Sequence, residues 1–153
     1  MTVKKSNWVN GKQPMPTPMG SEVVNVLLDI DVAANEVALN DLHIIGELPE
    51  DCVLVDAIHG ADDLDSNGAP AVVLAFGVVN DAETDLATTL EAGLTLAQAG
   101  GAARMTPTNT TLTTKSGSTA GKKVGYKVTT AAATGQAGAI RCSLSYRSVA
   151  HGA

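Results

Sequence analysis

Apolar and polar residues alternate along much of this chain with the two-residue period of half-buried β-strands. From Glu22 to Ile30, Val24, Val26, Leu28 and Ile30 share one face while Asn25 and Asp29 share the other, which predicts a first strand with one buried side. After the turn-like residues 31–36, a second run from Val37 to Ile45 is interrupted by Asn40-Asp41, a pattern expected of a bulge or a break between two short strands. The runs Cys52–His59 and Ala71–Val79 flank an acidic connection containing Asn67-Gly68 and Pro70, and read as a β-hairpin. The second of these runs is apolar on both faces, so it should lie deep in the protein. Farther on, Val124, Tyr126 and Val128 alternate with Lys123, Lys127 and Thr129. Ile140, Cys142, Leu144 and Tyr146 alternate with Arg141, Ser143, Ser145 and Arg147. Read as a second hairpin, this alternation places Cys142 in the core and Lys123, Lys127, Arg141 and Arg147 on one basic outer face.

Three segments break the pattern. Asp81–Gly93 offers an N-capping Asp, acids in the first turn, Leu86 and Leu90 four apart and a terminating Gly93, and predicts a short helix. Thr106–Thr114 is rich in β-branched residues and predicts one exposed strand. In residues 1–20, Pro14, Pro16 and Pro18 alternate with Met15, Thr17 and Met19, which excludes a helix or a central strand. This stretch reads as an extended arm, either a solvated tail or a segment whose Trp8, Val9, Met15 and Met19 anchor it to something. The expected architecture is all-β: an antiparallel β-sandwich or jelly roll with about seven short strands, one short helix and an extended N-terminal arm. The arm is residues 1–20 and the single sandwich domain residues 21–153. Its inner face should include Val24, Val26, Leu28, Leu74, Phe76, Val124, Tyr126, Val128, Cys142 and Leu144.

Composition adds limits. Aromatic residues are only 3% of the 153, so the core must be built from Val, Leu, Ile and Ala. That length suffices for a core stable without disulfides or metal, and Cys52 and Cys142, distant in sequence, are expected as free buried thiols. No apolar stretch approaches the roughly 20 residues of a membrane span and no secretory h-region opens the chain, so a soluble protein made in the cytoplasm is expected.

Charge is distributed in blocks. All 16 acidic residues lie between Glu22 and Glu91, and all 10 Lys and Arg lie outside that interval. Either the blocks interleave in the fold and neutralise one another, or they form separate acidic and basic surfaces that meet partners. Nucleic-acid binding is disfavoured by the scarcity of basic clusters and of aromatic rings for base stacking.

Catalytic signatures are missing. Asp63-Leu-Asp-Ser-Asn-Gly68 fits the first half of a calcium loop, but Leu74 stands where the bidentate Glu belongs, and a solvated turn whose Asp and Asn side chains cap backbone N–H groups is the better reading. His43, His59 and His151 have no ligand spacing, and the first two are expected as half-buried or surface strand residues. No nucleophile elbow or paired catalytic carboxylates occur, and the run Gly117–Lys123 has the wrong spacing for a phosphate loop.

The stretch Leu48–His59, the acidic turn Asp63–Pro70, the apolar strand after it, the segment Thr84–Glu91 and Ala97-Gln-Ala-Gly-Gly101 together resemble a group of small tailed-phage structural proteins. The resemblance covers about the middle third of the chain. It implies a capsid cement (decoration) protein of the jelly-roll type, lying on the outer surface of a shell with the HK97-type fold. Such a protein is a non-enzymatic virion component without cofactors. Its partners would be the major capsid protein and further copies of itself, as a dimer or trimer, with no nucleic acid or membrane. The residues expected to make those contacts are Lys4, Lys5, Trp8, Val9, Lys12, Met15, Met19, Lys123 and Lys127. On this reading the body carries its own core, so loss of the arm should leave folding almost unchanged. Two alternatives are a phage tail or head-fibre module that recognises a surface glycan and, more remotely, a calcium-dependent hydrolase subdomain. The first would need exposed aromatic rings around a groove.

Overall fold

The computed structural model describes residues 1–20, 22–117 and 121–149. His151 and residues 118–120 of the Gly117–Lys123 run lie outside the described residues. Among the described residues there are nine strands: β1 (Val3–Lys5), β2 (Val23–Val32), β3 (Leu42–Leu48), β4 (Cys52–Ala61), β5 (Val73–Val79), β6 (Leu86–Leu94), β7 (Gly101–Arg104), β8 (Lys122–Thr130) and β9 (Gly138–Ser148). They form two sheets, one ordered β1-β3-β8-β5-β6 and the other β2-β9-β4-β7. Every pairing is antiparallel except β1 with β3. The fold is thus the antiparallel sandwich that the alternation predicts, with a single short helix, α1 (Asn109–Thr113).

The inner faces meet as expected. Nine of the ten predicted inner residues are buried, and Val24 packs half-buried against the same cluster. β2 and β9 pair without a register shift from Val23 opposite Arg147 to Val32 opposite Gly138, which keeps their alternation clean. Asn40, at φ 69°, ends the interruption before β3.

Both predicted hairpins are instead crossings between sheets. β4 belongs to the four-stranded sheet and β5 to the five-stranded one; β8 and β9 are divided in the same way. Two-residue periodicity reports which face is buried but not which strand lies alongside, and connections of this length can span a sandwich as readily as close a hairpin. The two crossing loops are tied together by Asp65. Its carboxylate, 1% exposed, accepts backbone N–H groups of Asn67, Ala71, Val72, Ala133 and Thr134. Burial alone would raise its pKa, but these donors hold the carboxyl far below the usual carboxylate range. The acidic turn keeps residues 66–69 exposed and caps its own backbone through Asp63, Asp65 and Asn67, while the buried Asp65 also fastens it to the second crossing loop.

Two further elements differ from expectation. The predicted helix at Asp81–Gly93 is strand β6, preceded by a turn in which Asn80 accepts from Thr84 and Asp85 N–H. A spacing of four residues fits one face of a strand as well as one face of a helix, and register shifts against β5 then put Leu90 in the main core and Leu86 on the second cluster. Conversely, the predicted strand at Thr106–Thr114 contains α1, because Thr108 caps the Thr111 N–H while the Thr111 hydroxyl accepts from Thr108 N–H.

Candidate functional site

The first 20 residues do not leave the body. β1 adds to the edge of β3, and buried Ser6 continues the contact through its N–H to the Ile44 carbonyl and its hydroxyl to the Ile45 carbonyl. The chain then reverses at Gly11, φ +73°, with Lys12 and Gln13 N–H donating to the Asn7 carbonyl. Proline keeps residues 14–18 extended, Pro18 is buried, and the Tyr146 hydroxyl donates to the Pro16 carbonyl. Trp8 and Met15 pack half-buried against the main core, and Val9 packs on a second cluster of Leu42, Ile44 and Val79. The apolar side chains that marked an arm thus dock on the protein's own body as a strap. Only Met19, 83% exposed, remains free of it. Beside the strap runs an open groove of about 530 Å³ whose lining includes Trp8, Pro14, Met15 and Pro49.

The basic residues expected at a partner surface are mostly engaged within the chain. Lys4 meets Glu36 at 2.7 Å, Lys127 meets Asp85 at 2.7 Å, and Lys5 and Lys123 both hold Glu83. Lys123 and Lys5 together draw the Glu83 carboxyl below its ordinary pKa. Lys12 is exposed. Arg104 pairs with Asp56 and Arg141 with Asp62, each at 2.8 Å. The sequence blocks of charge therefore interleave. No single basic outer face exists, because Lys123 and Lys127 lie on β8 and Arg141 and Arg147 on the other sheet.

Sequence reasoning missed a polar chain inside the core. His59, fully buried rather than half-exposed, places Nδ1 2.7 Å from the Tyr126 hydroxyl and Nε2 3.0 Å from Glu91 Oε2. The Cys142 thiol is a buried neighbour of Tyr126. One proton arrangement satisfies His59 and both its partners: Tyr126 O–H to His59 Nδ1, and His59 Nε2–H to the Glu91 carboxylate. The His59 ring also lies 4.8 Å from that of Phe76. Burial pushes the Cys142 thiol up to about 12 and the Tyr126 hydroxyl well above its ordinary value, so both stay protonated at neutral pH. This constellation couples the two sheets; an activated nucleophile would need the opposite environment.

His59 turns inward because of one irregularity. In β4, Cys52 and Leu54 are buried, the register against β9 shifts between Leu54 and Asp56, and thereafter Ala57, His59 and Ala61 are buried. The bulge inverts the parity of the strand. His43 is also fully buried, with Nε2 2.9 Å from the Glu36 carbonyl.

Among the described residues, no group of three His, Cys, Asp or Glu side chains is placed to hold a metal ion, and no helix is long and apolar enough to cross a membrane. Both cysteines are free and buried. Phe76, Tyr126 and Tyr146 are buried and Trp8 half-buried, so no aromatic ring stands open for a sugar to stack on.

No protein-family model and no curated protein matches this sequence. Solved structures do. A chain from "Capsid of Ralstonia phage GP4" superposes with a TM-score of 0.85 at 31% sequence identity, covering 96% of this chain and 98% of its own length. One from "Cyanophage Pam1 capsid asymmetric unit" shares the fold, with a TM-score of 0.65 at 22% identity over 89% of this chain and 94% of that one. The first match covers nearly the whole of both chains at a level of identity that fold likeness alone does not require. This chain belongs to the same family as the Ralstonia phage GP4 capsid chain, and is a phage capsid-related structural protein.

Proposed function

We propose that the protein is a jelly-roll-type cement (decoration) protein. It binds the outer surface of a tailed-phage shell, holds neighbouring major capsid subunits together and associates with copies of itself, without enzymatic activity. The observation that carries this reading is the full-length match to a chain of the Ralstonia phage GP4 capsid. Two features support it: a stiff two-sheet body with a closed core, and chemistry confined to that core, where it fastens rather than reacts. The proposed shell contact is the strap side, through Lys12, Met19 and the outward parts of Trp8, Val9 and Met15. Lys4, Lys5, Lys123 and Lys127 would contribute as a charge-balanced rim. Synthesis in the host cytoplasm precedes attachment to the shell.

The test is reconstitution on purified shells lacking this chain. Co-sedimentation should show saturable binding, and decorated shells should resist heat or chaotrope better than bare ones. Image reconstruction of the parent virion should place the chain on the icosahedral lattice. A chain found at the tail or inside the shell would overturn the proposal.

A further inference from the structure

The seam between the strap and the body is less well satisfied than the rest of the interior. Among the described residues, two buried side-chain polar atoms have no hydrogen-bond partner in the protein, Trp8 Nε1 and His43 Nδ1, and both lie along this seam. Trp8 belongs to the strap, and His43 stands opposite Lys4 in the β1-β3 pairing. Unpaired buried groups are rare in a folded protein, so two at one junction set that junction apart. At the far end of the strap, Gly20 takes φ +71° with nothing within 4 Å of where a Cβ would stand, which leaves a free pivot before β2.

No group beside His43 is turned to answer a second proton on its ring. Nε2 donates to the Glu36 carbonyl, an oxygen that can only accept, so in the neutral ring Nδ1 is bare. Neither nearby carboxylate reaches Nδ1. Glu36 accepts from Lys4 Nζ at 2.7 Å and Ala33 N–H at 2.8 Å, and Asp41 from Thr2 N–H at 2.5 Å and Ala38 N–H at 2.9 Å. From β1 the Lys4 ammonium acts on His43, and from β8 Tyr126 stands opposite it with its hydroxyl already given to His59. A proton on Nδ1 would therefore be a buried donor without an acceptor and a cation beside Lys4. The strap supplies one of the two donors on each carboxylate. Peeling β1 from β3 removes Lys4 and Thr2 together, releases Glu36 and Asp41 toward the imidazolium, and opens the β3 edge to water.

We infer that residues 1–20 are a proton-released latch, docked while His43 is neutral and turned off the body about Gly20 when His43 takes up a proton. Burial outweighs the nearby carboxylates and holds the docked imidazole below its ordinary pKa, whereas the released one regains the ordinary value. Docking is thus at full strength above the ordinary histidine value and weakens as pH falls from there toward the docked value, by up to about tenfold per pH unit. Against its own burial, Ala33 N–H and Lys4 hold Glu36 below its ordinary range, so the ion pair to the strap persists through this window and gives way only at lower pH. The inference does not depend on shell binding.

Hydrogen exchange of the full chain, read by NMR and corrected for the intrinsic pH dependence of exchange, tests it. The reporters are Ser6 N–H, donated to the Ile44 carbonyl, and Leu42 N–H, donated to the Thr2 carbonyl. Their protection should lie well below that of the β2-β9 ladder, because the strap opens while the body stays folded. It should fall by up to about tenfold per pH unit below about pH 6.5, and level off at the pKa read from the His43 ring resonances of the same sample. His43→Gln keeps a donor for the Glu36 carbonyl and cannot titrate, so strap protection should become flat over that interval. Should the variant fail to fold, the levelling at the wild-type His43 value decides. Protection that ignores pH, that levels elsewhere than at the His43 value, or that equals the β2-β9 ladder throughout overturns the inference, the last because the strap then opens only with the whole fold.

Discussion

Tyr126→Phe isolates the buried polar chain, because it removes one oxygen and keeps the ring that packs against both His59 and Phe76. His59 Nδ1 would lose its donor at 2.7 Å, and with both residues fully buried no water can replace it. The lost hydrogen bond is worth about 1 kcal/mol net, and an orphaned buried acceptor adds about 1 to 2 kcal/mol, so the change should cost about 2 to 3 kcal/mol. For a domain of this size that corresponds to a fall in melting temperature of about 5 to 10 °C. Urea unfolding followed by circular dichroism gives the free energy directly. The double mutant with His59→Leu should then cost less than the sum of the singles, by about 1 to 2 kcal/mol, because His59→Leu removes the acceptor that Tyr126→Phe strands. A cost below about 0.5 kcal/mol for Tyr126→Phe, or strict additivity, would refute the assigned hydrogen-bond chain.

Burial holds His43 and His59 below their ordinary pKa, so the unfolded chain binds protons that the folded one refuses. Their contribution is complete above the ordinary histidine value and is lost as pH falls from there toward the folded values, at up to about 1.4 kcal/mol per pH unit for each; urea unfolding at pH 7 and pH 5 should show it. Gly77→Ala would set a Cβ 2.1 Å from the Thr88 carbonyl oxygen in the β5-β6 ladder, and should abolish soluble expression or cost more than about 4 kcal/mol. Deleting residues 1–20 should lower the melting temperature of the isolated protein, contrary to the sequence-based expectation, and Trp8→Ala should cost about 2 kcal/mol by itself, measured by calorimetry. Cys142→Ser should destabilise more than Ser143→Cys, since only the first changes a fully buried side chain; equal effects would contradict the alternation of β9.

Burial was legible in this sequence wherever strand parity ran unbroken. β2, β8 and β9 keep a two-residue rhythm, and their inner residues could be named in advance. Partnership between strands was much less legible, because Val24 or Tyr126 points inward whether its neighbour is the next strand in the chain or one a hundred residues away. The corners made this worse. Asn67-Gly68 has the composition of a tight hairpin, while Asp65, whose five backbone donors hold the crossing together, has the composition of a solvated turn. The polar chain escaped notice because no residue type announces a bulge at Val55, and without it His59 would face solvent. The strap was half visible: its apolar residues signalled docking, but nothing in residues 1–20 indicated that the surface they seek is their own core.

The pairing of β2 has a consequence for how the molecule comes into being. Its one neighbour in the sheet is β9, with Val23 opposite Arg147. At ribosomal speeds of about 5 to 20 residues per second, roughly 6 to 25 seconds separate the synthesis of the two strands. β3 can pair early with β1 but waits for β8 on its other side. Neither sheet can close on the nascent chain, so folding is a late event dominated by distant contacts, which places the protein among slow folders. During that interval Val24, Val26, Leu28 and Ile30 have no ladder to join, and Asp29 and Asp31 within the same strand act as the gatekeepers that keep unpaired copies from joining one another on a crowded polysome.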